Sequence, residues 1–221
     1  QKLLTHNAVV GMTNSDLDIN TALVEASRHG FAACVEQLLS AKAKVDSTLS
    51  GVSALWEAAF HGHVDCAQLL LKAKADVDMV YTTAGDSPAK VAAQNGHNET
   101  LRRLIDAKAD IHQAAYNGFT PLMSTAQGGH AGAAQLLLRA KASTAINQHA
   151  TTGTTAAIRA SCRGHLEVLH LLVAAKAGVN HPNNKDGSTA VYWAARGGAV
   201  NTLQYLISAK ANVHTAANTG E

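Results

Sequence analysis

The chain has 221 residues, 47% of them hydrophobic but only 4% aromatic, and a formal net charge of +2 with its histidines neutral. So small a charge, with Arg102 and Arg103 the one adjacent basic pair, argues against nucleic acid or an anionic membrane as partner. No stretch reaches the roughly 18 uninterrupted apolar residues of a membrane span, since the best run, 166–179, is broken by Glu167, His170 and Lys176.

The chain opens on Gln1, and LLTHNAVV, residues 3–10, reads as the tail of a repeating unit with Asn7 35 residues before Lys42. TALVEASRHG, residues 21–30, then starts a pattern that returns as SALWEAAFHG, SPAKVAAQNG, TPLMSTAQGG, TAAIRASCRG and TAVYWAARGG. A Ser or Thr opens each stretch, Pro88 and Pro121 follow it in two, and small residues cluster just before the closing glycine. These are the marks of a helix start, with a hydroxyl cap and proline tolerated in the first turn. The small residues, such as Ala58 and Ala59, let two helices approach closely.

The closing glycines, Gly30, Gly62, Gly96, Gly129, Gly164 and Gly198, are 32, 34, 33, 35 and 34 residues apart. Twelve residues after each stands a lysine: Lys42, Lys74, Lys108, Lys141, Lys176 and Lys210. Because this distance never varies, it predicts a rigid helix from glycine to lysine, with length variation confined to a loop beyond it. Within that helix apolar residues fall five, eight and nine places after the glycine, as in Val35, Leu38 and Leu39. The spacing puts them on one face. A second glycine, Gly51, Gly85, Gly118, Gly153 or Gly187, precedes each later anchor by 11 residues and fits a tight turn at the tip of an extended excursion.

Each unit is therefore a helix pair too small to bury its own apolar stripe, and it must stack on its neighbours. T-P-L at Thr120 to Leu122, the Gly-His pairs at 62–63, 96–97, 129–130 and 164–165, and the L-L-x-x-K-A-D-V ending resemble the ankyrin repeat. The resemblance covers nearly the whole chain. It implies an all-α repeat solenoid of stacked antiparallel helix pairs with hairpin-like finger loops, and a concave groove that binds other proteins. The expected units are approximately 19–50, 51–84, 85–117, 118–152, 153–186 and 187–219 within a single domain, with a partial unit at 1–18 and the start of another at 220–221. With no polar cap at either end, the chain is read as an excerpt of a longer array or protein.

Two features depart from the family pattern. The histidine that usually follows T-P-L is replaced by Val24, Trp56, Lys90, Met123, Ile158 and Tyr192, which removes the group that bonds the opening threonine. Lysine also replaces the usual helix-ending glycine. A left-handed residue with a side chain costs roughly 1–2 kcal/mol, and a lysine at a helix C-terminus recovers about 0.3–1 kcal/mol. The lysine ladder is read as a habit of the repeat and not as a ligand site.

Of nine aromatic residues only Phe31 and Tyr205 belong to second helices; Trp56, Phe60, Tyr192 and Trp193 lie on first helices and Tyr81, Tyr116 and Phe119 in fingers. In the family these regions border the groove, where aromatic side chains make good binding anchors. The groove is expected to run from mixed charge, with Glu25, Glu57 and Asp86, to basic, with Arg159, Arg163, Lys185 and Arg196. The predicted contact residues are Trp56, Phe60, Tyr116, Phe119, Arg159, Arg163, Trp193 and Arg196, facing a protein whose acidic patch meets the last two units.

His61, His63 and Cys66 are close in sequence, but His63 belongs to the repeat and Cys66 falls on the core side, so no metal site is expected. No phosphate-binding loop, nucleophile elbow, zinc-protease helix or dinucleotide turn occurs, and Cys162 beside Arg163 has no evident base. Neither a cofactor nor an enzymatic activity is expected. The sequon at Asn98–Thr100 falls at a helix start and reads as a chance match. Three cysteines without tight spacing point to a reducing compartment, with the cytoplasm as the default. The expected function is a protein-interaction scaffold or adaptor. The alternatives are a permanent subunit of a large assembly, or a targeting or regulatory segment of a longer enzyme or channel.

Overall fold

A computed structural model describes residues 19–81 and 83–213; the expected partial units at 1–18 and beyond 213 lie outside them. Among the described residues twelve α-helices form six antiparallel pairs. The first helices are α1 (Ile19–Arg28), α3 (Ala54–His61), α5 (Pro88–Gln94), α7 (Pro121–Gly128), α9 (Ala156–Arg163) and α11 (Ala190–Arg196). The second helices are α2 (Ala32–Ser40), α4 (Val64–Lys72), α6 (Asn98–Asp106), α8 (Ala131–Arg139), α10 (Leu166–Ala174) and α12 (Val200–Ser208). Each first helix packs on its own second helix and on the first helices of the pairs before and after it, and the second helices form a parallel layer behind. No helix among the described residues is long and apolar enough to cross a membrane.

The hydroxyl caps form where the backbone before the helix is extended. Ser53, Ser87, Thr120 and Thr155 accept the N–H three residues on, at 3.2 to 3.3 Å. Two expected caps differ. Helix α1 begins at Ile19, so Thr21 lies inside it, and Thr189 has the extended backbone but no side-chain cap.

The apolar stripe of the second helices fills the core at its fifth and eighth places. Leu70, Leu104, Leu137, Leu172 and Leu206 at the eighth place are wholly buried, and a leucine taken from water contributes about 1.5–3 kcal/mol. The ninth place is different: Leu39, Leu71, Ile105, Leu138 and Val173 are only half-buried and Ile207 is exposed, because this position faces the margin of the layer.

At the end of each second helix the lysine is left-handed in all six units, with φ between 59° and 73°. Lys42 N–H donates to Leu39 O and Ala43 N–H to Leu38 O, each at 3.0 Å, which closes the two orphan carbonyls in a Schellman motif. The same pair of bonds recurs at Lys74, Lys108, Lys176 and Lys210. The conformation belongs to the motif, and lysine fills it with its side chain exposed.

A ladder of histidines joins one pair to the next. The rings of His63, His97, His130 and His165 lie against the left-handed glycines Gly30, Gly62, Gly96 and Gly129 of the preceding units. His63, His97 and His165 also donate from Nε2 to the carbonyls of Arg28, Phe60 and Gln127 at 3.0 to 3.1 Å. Ala199 stands where the next rung would be, and Gly164 correspondingly meets only the Ala199 Cβ, at 3.4 Å.

A second ladder, which the sequence pattern did not bring out, runs through the loops. Asp46, Asp78, Asn147 and Asn180 accept backbone N–H groups of Asp76, Asp110, Gly178 and Asn212, one unit on, at 2.7 to 2.8 Å.

The fingers complete the frame. The first is a regular hairpin, β1 (Thr48–Leu49) antiparallel to β2 (Val52–Ser53), turning at Ser50 and Gly51 with φ of 52° and 82°. Two successive positive φ values are what a two-residue hairpin of this twist requires. The later fingers bond tip to tip: Tyr116 N–H donates to Ala84 O and Thr151 N–H to Asn117 O, both at 3.0 Å.

Candidate protein-binding face

First helices and fingers share one face, and its charge changes along the array. Residues 1–117 contain ten Lys or Arg against thirteen Asp or Glu, whereas residues 118–221 contain eight against three.

At the N-terminal end the acids are already paired. Glu57, only 6% exposed, lies 3.4 Å from His61 Nε2 and 3.8 Å from Arg28 Nε, and Glu25 lies 3.6 Å from both Arg28 and His29. Burial lowers the pKa of His61, with Glu57 opposing. Beside this cluster Phe60 stacks on Trp56 with ring centroids 5.0 Å apart, and Tyr81 meets the other side of Trp56 at 5.4 Å.

In the third unit Lys90 is 4% exposed and its Nζ stands 2.7 Å from Asp86 Oδ1 and 3.2 Å from Gln94 Oε1. The Asp86 carbonyl accepts the Trp56 indole N–H at 2.9 Å, so Asp86 ties two units together. Sequence reasoning took Asp86 as groove charge and Lys90 as a substituted histidine. The four-residue spacing of Asp86, just before α5, from Lys90 and of Lys90 from Gln94 was the signal that joins them.

At the C-terminal end two arginines lie over aromatic rings. Arg159 lies over the Phe119 ring, 4.9 Å from its centroid, and donates to Thr154 and Thr152. Arg196 lies 5.5 Å from the Trp193 centroid, with Nη1 3.2 Å from the Tyr192 hydroxyl. Trp193 donates to Ser188 Oγ, which donates in turn to Asp186, both at 2.6 Å. That hydroxyl holds the Asp186 carboxyl below its ordinary pKa. Arg163 and Lys185 are exposed.

Of the predicted contact residues, Phe60, Tyr116, Arg163 and Arg196 are exposed, and Arg159 and Trp193 partly so. Trp56 and Phe119 are buried, at 9% and 8% exposure, and pack within the array. Trp56 fills the space between Phe60 and Tyr81, and Phe119 is roofed by Arg159, so neither offers a free ring face. Tyr116, 66% exposed, lies at a fingertip against Gly85.

The residues weighed as a metal site do not converge: the His63 ring is held at the Arg28 carbonyl and Cys66 is 1% exposed. Among the described residues no group of three His, Cys, Asp or Glu side chains comes together. Thr100 of the sequon is buried within α6.

No curated protein matches the chain. Among 535 matching solved chains, one belongs to the complex titled as the predatory endopeptidase Bd0816 from Bdellovibrio bacteriovorus with immunity protein Bd3460. It is 27% identical, with a TM-score of 0.75, and the match covers 85% of this chain and 97% of that one. A family model described as ankyrin repeats in three copies matches residues 1–81, 78–148 and 142–217. Matched by that model over nearly its whole length, the chain belongs to the ankyrin repeat family.

Proposed function

We propose that the chain is a non-enzymatic protein-binding scaffold whose partner lays an acidic surface along the C-terminal units. Ankyrin repeats mediate protein–protein interaction and are generally non-enzymatic. The observation that carries the reading is the contrast between the two ends of the face. Glu57 and Asp86 are paired within the chain with Arg28 and Lys90, while among the described residues the exposed Arg163 and Lys185 form no ion pair with a carboxylate. Complementary charge of this kind steers and orients association. That a related chain is found in a complex of an endopeptidase and an immunity protein supports partner binding as the use of the fold. The three cysteines are unpaired, which supports a reducing compartment.

The test is affinity capture from the native extract with the wild-type chain and with an Arg163→Glu, Arg196→Glu variant, the bound proteins being identified by mass spectrometry. Partners lost by the variant, and recovered less well from wild type as salt rises, support the reading. Partners held equally by both would overturn it and favour a permanent subunit packed through other surfaces.

A further inference from the structure

Arg159 is held by the chain's own groups before any partner arrives. Its Nε donates to Thr154 Oγ1 at 3.2 Å and its Nη2 to Thr152 Oγ1 at 3.4 Å, and these two hydroxyls are 3.0 Å apart. Its guanidinium lies over the ring of Phe119, which comes from the finger of the preceding unit. The side chain thus spans the corner where α9 meets two neighbouring fingers.

A guanidinium has five N–H donors in a fixed fork. Thr154 and Thr152 take the Nε–H and one N–H of Nη2. Both N–H groups of Nη1 and the second of Nη2 remain, and the outer edge between Nη1 and Nη2 is the edge that matches two oxygens of one anion. Among the described residues no carboxylate forms an ion pair with Arg159. A second cation is brought near by the next finger. Asn184 N–H donates to Gly153 O at 3.3 Å, Asn183 Nδ2 to Thr152 O at 3.4 Å, and Lys185 N–H to Asn183 Oδ1 at 2.8 Å.

We propose that Arg159 is the anchor of the basic face, a preformed fork that grips one two-oxygen anion on an acidic segment of the partner. Arg163, Lys185 and Arg196 then add positive charge around it. This rests on the acidic-partner reading and names the residue that gives it specificity. The ordering of an arginine side chain, normally lost on binding, is already complete here. Burial, which lowers the Arg159 pKa, means that the guanidinium has given up part of its water in advance. An aspartate or glutamate carboxylate and a phosphoserine present the same two-oxygen edge, and the probes below separate them.

The experiment measures fluorescence anisotropy of labelled octaglutamate, and of a peptide carrying two phosphoserines, against the whole chain at low salt. Arg159→Lys keeps the charge and loses the fork, so binding should weaken by about tenfold, whereas Arg163→Lys should change it by less than about twofold. Phe119→Leu leaves every charge in place and removes the platform, and should weaken binding severalfold; it decides the matter if Arg159→Lys fails to fold by thermal melting. Binding of either probe with these ratios supports the anchor and identifies the anion. A probe that binds, is lost in the Arg163→Glu, Arg196→Glu variant and is indifferent to Arg159→Lys overturns the anchor and leaves the acidic-partner reading standing. No binding of either probe to wild type overturns both.

Discussion

His97 lies against Gly62 of the preceding helix pair, and its Nε2 donates to the Phe60 carbonyl at 3.0 Å. A Cβ on Gly62 would stand 2.5 Å from His97 Nδ1, and Gly62 is left-handed as well, with φ of 76°. Gly62→Ala therefore meets both a backbone cost of roughly 1–2 kcal/mol and a displaced histidine, an overpacking cost of about 1–3 kcal/mol. Gly164→Ala meets the backbone cost alone, because only the Ala199 Cβ is near, at 3.4 Å. Urea denaturation should rank Gly62→Ala as clearly the more damaging of the two.

The missing rung can be supplied. In Ala199→His the ring would lie over Gly164 and donate to the Cys162 carbonyl, by the pattern of His63, His97 and His165. One such bond should raise stability by about 0.5–1.5 kcal/mol, and amide hydrogen exchange across 190–208 should slow; unchanged exchange would mean that the histidine adds nothing at this junction.

Lys108 takes up a left-handed conformation, φ 70°, at the end of α6. Replacing it with glycine removes roughly 1–2 kcal/mol of strain, surrenders about 0.3–1 kcal/mol of helix-end electrostatics and adds about 0.5–1 kcal/mol of unfolded-chain entropy. Lys108→Gly should therefore stay within about 1 kcal/mol of neutral. A clear fall in melting temperature would show that the lysine does something beyond closing the helix.

Asp86→Ala strands the ammonium of Lys90, whose side chain is 5% exposed. Removing one partner of a buried pair costs roughly 3–5 kcal/mol, and the partial exposure of Asp86, 19%, puts the expected loss near the lower figure. The double variant Asp86→Ala, Lys90→Met should recover much of it. Thermal melting of the three proteins measures the coupling, and an equal loss in single and double variants would remove the pair from the account.

Burial pushes the Cys66 thiol up to about 11, with Asp65 and Cys34 adding to the shift. Folding thus favours the protonated thiol. The stability this represents is complete below the ordinary thiol pKa near 9 and is lost as pH rises from there through about 11. Alkylation of the native protein at pH 8 should modify Cys34 and Cys162 well before Cys66; labelling of Cys66 at an equal rate would show that α4 opens readily.

The helix pairs were legible because the distance of twelve positions from anchor glycine to lysine never varies, and a fixed length of that kind belongs to a helix. Four of the six hydroxyl caps were legible for the same reason. Thr21 was misplaced because a helix start is set by the first extended residue, and nothing in TALVEASRHG shows that Ile19 already has helical backbone. The contact residues were harder. Position along a repeat says which element bears a side chain, but not what covers it: Phe60 and Trp56 are one turn apart on α3, yet Asp86 and Tyr81 from the next finger close over Trp56 alone. The acids of the N-terminal end were legible as charges, and their pairing with Arg28 and Lys90 depends on which neighbour reaches back.

The hydrogen bonds that join neighbouring units, from His63 to Arg28 and from Asn212 to Asn180, connect residues about one repeat apart in sequence. Order can therefore spread from any helix pair to the next without waiting for a distant part of the chain. During synthesis, a pair that has left the ribosome already has beside it the neighbour on which it must close, and the remainder of the array adds one short step at a time.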